Sequence, residues 1–333
     1  FTDLTPVPEQ PEPDGRFPTV EFPNPEEKGA LDLAFALARA KDAPLVIAND
    51  PDVDRLAVAV RDPCGKYVQL TGNQVGALLG HYVLTEGDEA KGDRVVLASL
   101  VSSPMLGVIA KRLGVRYEET LTGFKWIANR AMEIEEKTGA RFVFGFEEAL
   151  GYTVGPVVRD KDGISAAMII AALAAVRRAE KKTLLDELEV LARRYGLFVN
   201  GQRSLTMPGA DGLAQIGAIM RRLREAPPKR IGHLEVLAVG DYQAQERKAK
   251  DGAVTKIALP KSNVLAFELE GGSRIIARPS GTEPTLKIYV DLRAEAPEQG
   301  GFEDAERSLQ AEARRLASEL AAYRGFEKTK PEG

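Results

Sequence analysis

Leu45-Val-Ile-Ala-Asn-Asp-Pro-Asp-Val-Asp-Arg-Leu-Ala-Val-Ala-Val60 sets an acidic turn between two short apolar runs. Short apolar runs bounded by turn residues are the pattern of buried strands. Leu45–Ala48 and Leu56–Val60 are therefore predicted strands, with Asp50, Asp52 and Asp54 in the turn between them. Downstream, from Gly72 to Arg177, helical and strand patterns alternate. Asn73–Leu84, Pro104–Leu113 and Phe124–Lys137 read as helices, and Val95–Leu100 and Phe142–Phe144 as strands. Such alternation predicts an α/β layer with mostly parallel strands. Upstream, seven prolines in the first twenty-five residues disfavour helix and central strand, so an extended connecting segment is expected. It ends at Asn24-Pro25-Glu26-Glu27, which has the form of a helix start and predicts a helix to about Ala40. Leu184–Arg194 is helical. After it, Pro227-Pro228 and Gly-rich segments punctuate short strands before a long amphipathic helix, Glu303–Tyr323. This last region predicts an α+β domain with an antiparallel sheet.

A chain of 333 residues predicts about two or three domains. Its 44% hydrophobic and 28% charged residues describe a soluble globular protein. A net charge of −4 with scattered Lys and Arg argues against a nucleic-acid partner, which requires basic patches. Cys64 is the single cysteine, so no internal disulfide framework is possible and a cytoplasmic setting is expected. The longest apolar stretch, Ile164–Val176, is shorter than the roughly 20 residues of a membrane span and reads as a buried helix. No signal-peptide pattern is present, no membrane partner is expected, and the chain opens on Phe1 rather than Met.

Three carboxylates alternating after an apolar strand can turn onto one cation, and hard oxygen ligands without His or Cys favour Mg²⁺. An EF-hand fails, because Arg55 stands where it needs glycine and Arg61 where it needs the bidentate glutamate. An acidic surface turn, or a phosphorylated Asp50 as in aspartyl phosphatases, stays open. Farther along, Ser273–Ala277 and Leu286–Val290 alternate like paired strands around Arg278-Pro-Ser-Gly-Thr-Glu-Pro-Thr285. Ser280, Gly281 and Thr282 supply hydroxyls and a flexible backbone, and Arg278 a bidentate fork, which together suit a phosphate. An ordinary hairpin turn has the same composition.

These two loops together resemble the α-D-phosphohexomutase family of phosphoglucomutases and phosphomannomutases. The similarity extends to Pro13–Glu26, Thr122-Gly-Phe-Lys125, Gly145-Phe-Glu-Glu-Ala-Leu-Gly-Tyr152 and Asp160-Lys-Asp-Gly163, in family order over nearly the whole chain. The resemblance implies phosphohexomutase-type α/β domains with mostly parallel mixed sheets, followed by the C-terminal α+β domain. The division would be residues 1–70, the C-terminal part of domain 2; 71–190, domain 3; and 191–333, domain 4. It implies Mg²⁺ on Asp50, Asp52 and Asp54, with Arg55 beside the transferring phosphate. Glu147 would bind sugar hydroxyls, and Arg278, Ser280, Gly281 and Thr282 the non-reacting phosphate. Lys161 and Asp162 would lie in a site-facing loop, and Lys125 is a candidate for proton transfer. Without the resemblance, Glu147 and Glu148 read as a solvated acidic pair. His81 and His233, the only histidines, read as structural and partnerless.

The implied activity is a magnesium-dependent interconversion of hexose 1-phosphate and hexose 6-phosphate, activated by glucose 1,6-bisphosphate, in a monomer or homodimer. Phosphopentomutase and glucose 1,6-bisphosphate synthase are the nearest alternatives; an aspartyl phosphatase or a non-catalytic sugar-phosphate binding module are those of another class. Ala149 stands where many relatives carry a serine, which points to the branch containing the pentose enzymes. Glucose 1-phosphate is the first expected substrate, ahead of mannose and ribose 1-phosphates. The family's phosphoserine, in a Thr-Ala-Ser-His-Asn-Pro-like loop, has no counterpart. Ser102-Ser103-Pro104 is the nearest lookalike and lacks the histidine. Phe1 is accordingly expected to start a fragment that does not complete the reaction alone.

Overall fold

The short acidic turn leaves no room for the crossover that parallel strands require. Strands β1 (Leu45–Asn49) and β2 (Leu56–Arg61) accordingly form an antiparallel hairpin, with Leu45 opposite Val60 and Asn49 opposite Leu56, and β3 (Tyr67–Gln69) adds to β2. The structure, a computed structural model, describes residues 3–86, 92–209, 211–281 and 283–323. They form two units, one drawn from residues 1–102 and 106–190 and the other from residues 103–105 and 191–333.

In the first unit, helix α1 (Asp32–Lys41) packs Phe35 and Ala38 against Val46, Ala59 and Tyr67 of the hairpin sheet. It starts later than Asn24 predicts. Gly29, at φ +87°, interrupts the backbone ahead of it, and the Asn24 side chain accepts the Glu26 N–H in a local turn instead. A second sheet has the order β5-β4-β6-β7, from β4 (Arg94–Ser99), β5 (Arg116–Thr120), β6 (Arg141–Glu147) and β7 (Gly151–Val154). β4 is parallel to β5 and β6, and β7 is antiparallel to β6. Helices α2 (Gly72–Thr85), α3 (Met105–Arg112), α4 (Phe124–Thr138) and α5 (Gly163–Ala179) match the predicted alternation, and α6 (Leu184–Tyr195), the helix predicted after it, begins in this unit and ends in the second. α2 begins with a capping box in which Thr71 and Gln74 bond each other's backbone N–H. α5 is not buried all round: Ala166, Ile170 and Leu173 are buried while Ile164 and Met168 are exposed.

One irregularity in β6 sets the phase of everything after it. Opposite β4, Val95 pairs with Phe142 but Val96 pairs with Phe144, so Val143 is the extra residue of a β-bulge. Phe142 joins Val95, Leu97 and the α4 residues Phe124, Ile127 and Ala131. Phe144 and Phe146, though an even number of residues along, face the α2 glycines Gly80 and Gly76 instead. In a regular strand Glu147 would face α2; the bulge turns it to the α4 side.

In the second unit β8 (Leu197–Thr206), β9 (Arg230–Ile231), β10 (Leu234–Asp241), β11 (Glu246–Ala249), β12 (Val254–Lys256), β13 (Leu265–Leu269), β14 (Arg274–Pro279) and β15 (Thr285–Ala294) form one antiparallel sheet. Its backbone path is β12-β11-β10-β13-β14-β15-β8, with β9 on β10. Alternate residues, including Ile275, Ala277, Leu286 and Ile288, pack on α7 (Gly212–Glu225) and α8 (Phe302–Ala322). The intervening positions, Arg274, Arg278 and Lys287 among them, therefore face the other side. Among the described residues no helix is long and apolar enough to cross a membrane.

Candidate functional site

The Asp50–Arg55 turn is held by its own backbone and by two neighbouring segments. Asp50 Oδ1 accepts the Arg55 N–H at 3.0 Å, and the Val53 N–H donates to the Asp50 carbonyl at 2.9 Å. The Asn49 side-chain amide donates to the Arg55 carbonyl at 2.6 Å. From outside the hairpin, the Leu56 N–H donates to the Leu150 carbonyl at 3.0 Å, and the Gly163 N–H to the Val53 carbonyl at 3.1 Å. Val53 at φ +58° and Leu150 at φ +60° occupy left-handed backbone that costs a side-chain-bearing residue roughly 1–2 kcal/mol. Strain of this kind persists only where surrounding contacts over-determine it.

Burial raises the Asp50 pKa first of all; the Arg55 N–H opposes this, the Asp54 charge adds to the rise, and the Arg55 guanidinium opposes it again. Arg55 Nε lies 3.7 Å from Asp50 Oδ2. Asp54 takes the Lys161 ammonium at 2.9 Å, and Asp52 is exposed. Among the described residues no three of His, Cys, Asp or Glu are gathered into a metal cage. The donor chemistry, two repelling carboxylates on one strained turn, nevertheless suits a hard divalent cation. The Lys161 ammonium is the positive charge on Asp54 here.

Glu147 is buried, and its Oε1 accepts the Gly123 N–H at 2.6 Å, joining the sugar-binding candidate to the loop before α4. In that loop the Thr122 hydroxyl is buried and meets no hydrogen-bond partner among the described residues. Glu148 is not the solvated residue the sequence suggested. Its Oε2 lies 3.3 Å from the Ser99 hydroxyl and 3.2 Å from that of Ser102, and its own N–H donates to Ser102 Oγ at 3.1 Å. Burial, then the Glu147 charge, pushes its carboxyl up to about 7, against the pull of these hydrogen bonds. Sequence reasoning missed this network, whose only local signal was Ser99-x-x-Ser102 at the end of a strand. Ser102 and Ser103 are both buried, and Ser102 is bonded inward, which suits anchoring rather than phosphoryl donation.

Lys125 is exposed at the start of α4, its ammonium 5.8 Å from the centre of the Trp126 ring. Lys161 instead reaches the aspartate turn and lies 5.8 Å above the Phe124 ring. Burial of its ammonium opposes the charge, but Asp54 and Asp160 outweigh this and raise the pKa overall. Asp162 caps α5, accepting the N–H groups of Ile164 and Ser165. Both histidines have partners: His81 Nδ1 lies 3.8 Å from Glu187 Oε1 and His233 Nδ1 3.2 Å from Glu312 Oε1.

The phosphate-loop candidates lie in the second unit. Arg278 is the penultimate residue of β14, not part of the turn, and stands directly opposite Lys287 of β15. Ser280 closes the turn by donating its N–H to the Thr285 carbonyl at 2.7 Å; Gly281 is exposed, and Thr282 lies outside the described residues. Like charges directly opposite on one sheet face repel. Farther along the same strands Arg274 is opposite Asp291, with Nε to Oδ2 at 2.7 Å. Among the described residues no such carboxylate meets the Arg278–Lys287 rung, whose two positive charges suit an anion. Lys287 was missed in the sequence, because only strand register sets it against Arg278.

The sequence matches three consecutive parts of one family: phosphoglucomutase/phosphomannomutase alpha/beta/alpha domain II over residues 1–65, alpha/beta/alpha domain III over 71–195, and the C-terminal domain over 237–308. The chain belongs to the α-D-phosphohexomutase family. A Haemophilus influenzae protein named Probable phosphomannomutase is 45% identical over 298 residues, covering 89% of this chain and 55% of the relative. A phosphopentomutase of Pongo abelii is 39% identical over 305 residues, 88% of this chain and 50% of the relative. This phosphohexomutase chain thus spans about half the length of the curated relatives it matches. Its fold is similar to that of pp63/parafusin, a phosphoglucomutase of Paramecium, with a TM-score of 0.61 at 19% identity over 90% of this chain and 50% of that one.

Proposed function

We propose that these residues form the metal-, sugar- and distal-phosphate-holding part of a magnesium-dependent phosphosugar mutase that interconverts hexose 1-phosphate and hexose 6-phosphate in the cytoplasm. The joining of the aspartate turn to the Glu147–Gly151 loop and to the start of α5 carries this reading. The matched ranges support a division at about residues 70 and 190. Asp50, Asp52 and Asp54 would hold Mg²⁺, with Lys161 leaving Asp54 for the substrate. The ion would supply positive charge against that building on a transferring phosphoryl group. Arg55 would add to that charge, Glu147 would orient the sugar through its hydroxyls, and Arg278 with Lys287 would grip the phosphate remote from the chemistry. The phosphoryl donor would be a phosphoserine not contained in these residues, with glucose 1,6-bisphosphate as activator. Glucose 1-phosphate is the first substrate to try. The phosphopentomutase relative and Ala149 make ribose 1-phosphate the competitor.

Phosphorus NMR of this chain with glucose 1-phosphate, Mg²⁺ and a trace of glucose 1,6-bisphosphate is expected to show line broadening without conversion. Glucose 6-phosphate or free phosphate appearing would place a donor within these residues and overturn that part, while sharp, unchanged lines would remove the site. Arg278→Ala is expected to weaken both the 1-phosphate and 6-phosphate isomers roughly tenfold to hundredfold, the loss of a charge-assisted fork. Wild-type affinity for both isomers in that variant would end the role given to Arg278.

A further inference from the structure

The buried Glu148–Ser102–Ser99 cluster is used by no step above, and it sits immediately behind the residue assigned to the sugar. Ser99 ends β4, and Ser102 follows in a turn whose N–H donates to the Ser99 carbonyl at 3.0 Å. The two hydroxyls lie 2.8 Å apart and both reach Glu148 Oε2. Ser102 Oγ also receives the Glu148 N–H, so one hydroxyl binds both the side chain and the backbone of the same residue. On the other side, α2 packs so closely that a β-carbon on Gly72 would lie 1.9 Å from the Glu148 carbonyl oxygen. The loop is therefore fixed by side chain, N–H and carbonyl at one residue, and its neighbour Glu147 points the opposite way, to the Gly123 N–H.

The geometry points to Glu148 as a positioning residue: its carboxyl, clamped by Ser99 and Ser102, fixes the direction in which Glu147 presents its carboxylate to a sugar. This rests on the reading of Glu147 as a sugar contact. It adds a residue that touches no substrate yet sets how well sugar, as opposed to phosphate, is recognised. When protonated, Glu148 donates one hydrogen into the hydroxyl pair and carries no charge against Glu147. When ionised, it places a second negative charge beside Glu147 in a buried loop, and the clamp is strained by repulsion. The other titratable groups around it are Glu147 itself and the buried Tyr152 phenol on β7, which also feels the charge of Glu26. Tyr152 is raised well above its ordinary range by burial and keeps its proton. Burial and the Glu147 charge hold the Glu148 carboxyl up to about 7, so it changes charge near neutrality.

The test compares the affinities of glucose 1-phosphate and glycerol 3-phosphate, which share a phosphate and differ in the sugar. Glu148→Ala and Ser102→Ala are expected to lower the preference for glucose 1-phosphate about tenfold while leaving glycerol 3-phosphate unchanged, as expected when a binding group is misdirected. Glu148→Gln, a neutral side chain that can still donate and accept, is expected to restore the preference and make it flat between about pH 6 and pH 8.5, where the wild type loses it. An unchanged preference in both alanine variants would overturn the inference. Trp126, three residues beyond Gly123, gives a readout that needs no sugar phosphate. Its fluorescence is expected to titrate near neutrality in the wild type and not in Glu148→Gln. If the wild type binds neither phosphate the proposed function fails, and this transition still decides the positioning role: its absence in the wild type, or its persistence in the glutamine variant, would refute it.

Discussion

Gly163→Ala is expected to destabilise the first unit by about 3 kcal/mol, the upper range for overpacking a site that cannot relax. A β-carbon at this position would lie 2.4 Å from the Asn49 amide nitrogen, 2.5 Å from the Arg55 carbonyl oxygen and 2.7 Å from the Val53 carbonyl oxygen. Two of the three obstacles are backbone atoms of the aspartate turn, so no side-chain rotation relieves them. Relief would require withdrawing the start of α5, which would stretch the bond from the Gly163 N–H to Val53 and the reach of Lys161 to Asp54. Val53 would then lose the contact that holds it at a positive φ. The change is therefore expected to loosen the turn as well as lower stability. Urea unfolding followed by Trp126, the only tryptophan and a residue of the first unit, reads the stability directly. A change below about 0.5 kcal/mol, the usual size for an indifferent surface substitution, would mean that the two segments do not meet in this way.

Glu148→Gln is expected to remove a pH dependence of stability worth about 3 kcal/mol. The native carboxyl keeps its proton up to about 7, whereas the unfolded chain releases it near the ordinary 4.5. Between these values the native state binds more protons than the unfolded state, so stability falls as pH rises and levels off above about 7. At 1.36 kcal/mol for each pH unit separating the two values, the fall accumulates to about 3 kcal/mol. Glutamine has nearly the same shape and no such titration. The wild type should thus lose stability relative to the variant from about pH 4.5 to pH 7.5 in the Trp126 unfolding experiment. Parallel stability curves for the two proteins would show that the carboxyl is not buried as described.

Much of the local structure was readable because its causes are local. Thr71 and Gln74 have capping-box spacing, and the helix they start lies within one residue of the reading. The aspartates fall in the β1–β2 turn because turn residues interrupt two apolar runs. The α1 start was misread because Asn24-Pro25-Glu26-Glu27 has helix-start chemistry, while Gly29 five residues later breaks the helix before it forms. α5 was read as wholly buried because an almost unbroken apolar run conceals which face meets the protein. Glu148 was read as solvated for a similar reason: two adjacent glutamates look alike in sequence, and only packing sends one to Gly123 and the other to Ser99 and Ser102.

The sequence by itself determined the family, the alternation of helices and strands, and the loops that carry oxygen, guanidinium and hydroxyl groups, since residue type and spacing dictate turn and cap chemistry over a few positions. Tertiary structure alone decided which of those groups meet. The bulge at Val143 turns Glu147 toward α4, strand register sets Lys287 against Arg278, and close backbone approach at Gly163 brings Lys161 rather than Lys125 to Asp54. Each depends on contacts between residues distant in the chain, where a one-residue slip reverses a side chain's direction without altering the local pattern.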